Sequence, residues 1–62
     1  MKWIVVCCNK HGAFFWAAKD SGVAKTPEEA KKFRTERAAE READSWRRVP
    51  SVQWVRVEEV DA

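Results

Sequence analysis

Cys7, Cys8 and His11 are the first residues whose types could do chemistry. Two thiols and an imidazole so close together invite either a zinc site or a nucleophile–base pair. Tetrahedral zinc needs four ligands that converge. Here the thiols are neighbours in an apolar, extended stretch, where successive side chains point to opposite faces. The chain holds no other Cys or His, so a site would have to draw on carboxylates or on a second subunit. No metal and no other cofactor is expected. The nucleophile–base pair fares no better, because His11 falls in a turn with no carboxylate placed to orient it. Glycine occurs only at 12 and 22, which leaves no phosphate-cradling loop. Ser21 and Ser51 have no triad partners. These residues predict a protein that is not an enzyme, with no catalytic residues and no small-molecule substrate.

A second constellation is aromatic. Phe14, Trp16 and Trp54 accompany Lys2, Lys19 and Arg56 on segments that read as strands. Exposed sheet aromatics flanked by cations can stack the bases of single-stranded nucleic acid. The same residue types, Trp and Arg above all, also anchor protein interfaces. Interleaved carboxylates oppose the first use, since they repel phosphates.

The elements that must position these residues follow from the pattern. Trp3 to Cys8 is apolar throughout and rich in β-branched residues, as in a strand buried on both faces. Asn9-Lys10-His11-Gly12 supplies turn residues, and Ala13 to Ala18 reads as the returning strand of a hairpin. Thr26-Pro27-Glu28-Glu29 is a helix start, with Thr26 as cap and Glu29 completing a capping box. A single helix from there to Arg48 conflicts with its own apolar positions. At 100° per residue, Ala30 and Phe33 point about 140° away from Ala39, Ala43 and Trp46. Thr35 resolves the conflict by capping a second helix, so the spacing predicts helices over residues 27–33 and 36–48. Val49-Pro50-Ser51 ends the second. Val52 to Val60 alternates, with Val55 and Val57 on one face and Val52, Trp54 and Arg56 on the other. The predicted fold is α+β, ββ(αα)β: a three-stranded antiparallel sheet in the order 2-1-3, with the two-part helical segment on one face.

A sheet covered on one side should alternate apolar and polar residues. Strands one and two do not, so whichever face the helices cover, large apolar groups remain on the other. A contiguous apolar patch of this kind marks an interaction site. The predicted partner-binding residues are Phe14, Trp16, Val52, Trp54 and Arg56. Three occupants are open: a protein partner, a second copy packed face to face, or the chain's own tail or Ser21–Lys25 loop. Single-stranded nucleic acid is the alternative ligand for the same aromatics.

Size and charge bound these readings. Sixty-two residues make one domain, 1–62, that buries about 60% of its unfolded surface and is expected to net no more than roughly 3–5 kcal/mol of stability. Oligomerisation would supply a staple that two adjacent cysteines cannot. Twelve basic and ten acidic residues give a net charge of +2, too weak for a dedicated nucleic-acid footprint. The basic excess lies in the amino-terminal half and the acidic excess in the tail. The mixed charges of the helical region, with Glu28–Lys32 and Asp44–Arg48 at helical spacing, read as a solvated face. Free thiols and the lack of an export signal point to a reducing cytoplasm, and no segment is long and apolar enough for a membrane.

The chain also resembles a group of short accessory proteins of bacteriophages and prophages. The likeness runs from Gly12 to Trp46 and again from Val52 to Val60. Its marks are the leading hairpin, the Pro27-Glu28-Glu29-Ala30 start, the Phe33-Arg34-Thr35 step, the Ala-rich helix and the closing strand. It carries no catalytic residues with it. The resemblance implies an accessory factor acting in a bacterial host's cytoplasm, as an inhibitor or adaptor of a host protein. Anti-defence proteins such as anti-CRISPRs are of this kind.

Overall fold

The apolar run Lys2–Asn9 forms the first strand, β1, and the hairpin that follows is closed by its own side chain. In the computed structural model, which describes residues 1–60, the Asn9 carboxamide oxygen accepts from the backbone N–H groups of His11 (2.9 Å) and Ala13 (3.0 Å). Gly12 takes φ +84°, a left-handed conformation that suits glycine. The chain returns as β2, Phe14–Ala17. A 3-10 turn over Lys19–Ser21 leads to a two-residue strand β3, Val23–Ala24. The helix α1 covers Glu36–Arg47, and the last strand β4 covers Val52–Val60.

The fold is α+β, with one antiparallel sheet in the order β3-β2-β1-β4 and one α-helix. The expected 2-1-3 core is present as β2-β1-β4, with the most apolar strand inside it. The expected count of three strands is corrected to four. Val23–Ala24 adds a short edge to β2, pairing Trp16 with Ala24 and Ala17 with Val23.

The two-part helix is corrected more substantially. Pro27–Glu29 makes one 3-10 turn only, and the Thr26 side chain caps nothing. Ala30 is already extended, with φ −65° and ψ 146°. The reason lies in where Ala30 and Phe33 must go. A helix would put residues three apart on one face, whereas an extended chain puts them on opposite faces. Ala30 packs with Ile4 and Val6 on one side of the sheet, while Phe33 joins Val5, Cys7 and Val55 on the other. Between them the chain passes the sheet edge beside β1, where Trp3 and Phe33 exchange backbone hydrogen bonds of 3.0 and 2.8 Å. The 3-10 turn and α1 therefore serve opposite faces.

Helix α1 begins as the sequence predicts. The Thr35 hydroxyl oxygen accepts from the Ala38 N–H at 3.1 Å, satisfying one of the free donors of the first turn. Ala39 and Ala43, one turn apart, are fully buried. Their small side chains let the helix lie close over Val5, Cys7 and Val55. Trp46, one turn further, meets Phe15 edge to face at 5.4 Å and donates its indole N–H to Glu42 at 3.1 Å. Among the described residues no helix is long and apolar enough to cross a membrane.

Candidate functional site

Register places the aromatic residues. On the face away from α1, β1 presents Ile4, Val6 and Cys8. Cys8 has Phe14 opposite it on β2 and Trp54 opposite it on β4. One step along, Val6 lies between Trp16 and Arg56. The side chains then lean inward over the central strand. The Phe14 and Trp54 rings meet edge to face at 5.6 Å, and the Arg56 guanidinium sits 5.1 Å from the centre of the Trp54 ring. Glu58 holds Arg56 from the far side with an ion pair of 2.7 Å.

This face is less bare than two apolar strands suggest. Ile4, Val6 and Cys8 are each only 3% exposed. Ala30 and the 3-10 turn close over its Ile4 end, and a pocket of about 190 Å³ lined by Ile4, Pro27, Glu28, Lys32 and Val60 marks their margin. The Ser21–Lys25 loop does not fold over the face; it adds β3 to the sheet edge instead. The remaining candidate cover, the tail, ends in Asp61 and Ala62, outside the described residues. The open end is formed by Phe14, Trp54 and Arg56. Phe14 remains 57% exposed, while Trp16 and Trp54 are half-buried.

Four of the five residues singled out from sequence thus share this face: Phe14, Trp16, Trp54 and Arg56. Val52 does not. Cys8 pairs with Trp54 but Asn9 pairs with Val52, so β4 carries one extra residue there. Such a bulge shifts alternation by one, and Val52 turns to the α1 side, against the Phe15–Trp46 cluster. The alternation Val52–Trp54–Arg56 looks unbroken in the sequence, which shows no Gly or Pro at the bulge.

A second apolar concavity escaped the sequence reading. Beside α1 lies a groove of about 540 Å³ lined by Phe15, Val23, Lys25, Trp46, Val49 and Val52, with Phe14 at its rim. A helix about 10 Å wide spans roughly two strands spaced 4.8 Å apart. α1 packs over β1 and β4 and leaves the β2–β3 side open. The signal for it in the sequence is slight: Val23 alone, between Gly22 and Ala24.

The thiols separate as predicted. Cys7 is buried beneath α1, and Cys8 lies under Phe14 and Trp54. Burial pushes the Cys7 thiol up to about 11, and the nearby Glu42 carboxylate adds to the shift. A thiol held neutral in this way is a poor nucleophile at neutral pH. His11 is exposed in the hairpin turn, away from both. Among the described residues no three of His, Cys, Asp and Glu cluster as a metal site would require.

What the arrangement can do is present an aromatic ridge, with a guanidinium 5.1 Å from the Trp54 ring centre, at the hairpin end of a sheet. No family model, no curated protein and no solved structure matches this chain.

Proposed function

We propose that the protein is a non-enzymatic binding module that docks a protein partner on the Phe14–Trp54–Arg56 ridge, with Trp16 beside it on the same face. One observation carries the reading. Phe14 is mostly exposed, yet its ring packs edge to face on Trp54 at 5.6 Å. An exposed aromatic group that already packs on a neighbour has less entropy to lose when a partner covers it. Trp and Arg at the centre of such a patch are the types that dominate interface energetics. The likeness to phage accessory proteins extends the proposal to an inhibitor or adaptor of a host protein.

The geometry favours protein over nucleic acid as the ligand. Glu58 neutralises Arg56 at 2.7 Å, and its carboxylate would stand against a phosphate backbone. Binding to single-stranded oligonucleotides that weakened steeply with salt would reverse this preference.

Photo-crosslinking tests the proposal. A photoreactive phenylalanine analogue at position 14, in cells of the host, should give one discrete protein adduct. The same analogue at Arg37, on the exposed side of α1, should give none. Equal labelling from both positions would overturn the assignment of the face.

A further inference from the structure

The outer edge of β4 has a defined hydrogen-bonding capacity, and it can be read from the other side of the sheet. Trp3 gives both its N–H and its C=O to Phe33, so its polar groups point away from β4. Alternation along β1 makes Val5 and Cys7 point the same way. Their partners on β4 are Glu59, Val57 and Val55, whose N–H and C=O groups therefore face outward along the free edge. A contact from the helix agrees with this: Arg47 donates to the Val55 carbonyl at 3.4 Å. The strand is nine residues long, against a usual five or six. It contains no Pro and no Lys, and the charges it does carry, Arg56, Glu58 and Glu59, are of both signs, with its one bulge confined to the far end opposite Asn9.

We infer that this edge pairs with the same edge of a second copy, antiparallel about a two-fold axis at Val57, joining the two sheets into one. Antiparallel pairing must match outward residues with outward residues, which leaves few registers. Centring on Arg56 would set Arg56 against itself, and centring on Glu58 would oppose two carboxylates. Both place like charges directly across the seam. Centring on Val57 sets Arg56 against the other copy's Glu58, and Glu58 against its Arg56. It also lays Trp54 beside Val60 and exchanges backbone hydrogen bonds at Val57 and between Val55 and Glu59, where the Val55 carbonyl accepts through its second lone pair or in place of the 3.4 Å contact from Arg47. The charge pattern thus selects one self-complementary register, as an isologous contact requires. A seam one strand wide buries less than the roughly 1,200 Å² of a firm interface, so association belongs in the micromolar to millimolar range. The inference does not rest on the aromatic-ridge reading: Trp54 and Arg56 take part in both surfaces, but the seam needs the β4 backbone edge and the Arg56–Glu58 charges, whereas Phe14 belongs to the ridge alone.

Sedimentation over that concentration range tests it on the full chain. The mass should rise from 7.2 kDa towards twice that value. Glu59→Pro removes an outward N–H that none of the described residues of the monomer uses, a position where an edge strand tolerates proline, and should abolish the rise while the folded signal stays. Arg56→Glu and Glu58→Arg should each weaken self-association about tenfold. Mixed together, these two variants should form a heterodimer, since the glutamate-rich edge now faces an arginine-rich one. Phe14→Lys should leave the mass unchanged, which separates the seam from the ridge. A mass of 7.2 kDa at every concentration would overturn the inference. So would a dimer indifferent to Glu59→Pro, or single variants that fail to pair when mixed.

Discussion

Phe14 and Trp54 stand on strands that are not neighbours, yet their rings meet edge to face at 5.6 Å across the top of Cys8. The contact roofs the central strand and gives the most exposed aromatic ring of the sheet a packing partner. It couples sheet stability to the proposed docking surface, and the two roles should separate by residue.

Trp54→Lys should abolish partner binding while the helical circular dichroism persists, because α1 packs on the other face. Trp54 is half-buried, so a stability loss of about 1–2 kcal/mol in urea titration is expected as well. Complete unfolding by this change would make Trp54 a core residue and remove it from the docking surface.

Phe33→Ala should be far more damaging. Phe33 is the residue the extended crossing segment delivers to the α1-side core, and it is nearly fully buried. Truncating a buried Phe costs about 3–5 kcal/mol, as much as the core of a domain this small supplies at most. Heat or urea unfolding should show no cooperative transition for this variant.

Thr35→Ala should cost about 1 kcal/mol through loss of the cap on Ala38, and Thr35→Ser should recover most of it. If both variants melt with the wild type, the 3.1 Å contact contributes nothing to stability.

Cys7 gives a pH signature. Its thiol rises from an ordinary 9.0 to about 11 because burial and Glu42 disfavour the thiolate. The raised value means that the unfolded chain ionises first. The stabilisation is therefore fully present below about pH 9 and is lost as pH rises through about 11. The urea midpoint should fall across that window, and Cys7→Ala should flatten the fall. A midpoint equally steep in the variant would assign the loss to other groups.

Much of this architecture is legible in the residues, for physical reasons that differ by element. The Asn9–Gly12 turn and the Thr35 cap are local: each needs one side chain and one or two backbone N–H groups within four residues. The opposite facing of Cys7 and Cys8 follows from strand geometry alone. Strands β2, β1 and β4 take the expected order because the return through the crossing segment and α1 brings the last strand beside the first. The failures are tertiary. Residues 27–33 carry helix signals, but Ala30 and Phe33 are required on opposite faces of the sheet, and that demand overrides local propensity. β3 is two residues of pairing that only the neighbouring β2 edge makes stable. Val52 reads as a docking residue until the bulge opposite Asn9 turns it towards α1. The groove beside Trp46 depends on how far one helix reaches across four strands, which no local pattern encodes.

A partner docked on the Phe14 ridge must respond to a change in that ring. Affinity for the protein crosslinked at position 14 tests it most directly, with wild type, Phe14→Lys and Glu28→Lys compared at equal folded fraction. Phe14→Lys, which alters an exposed ring, should weaken binding at least about tenfold, and Glu28→Lys should bind as the wild type does. Unchanged affinity in a folded Phe14→Lys protein would contradict the account.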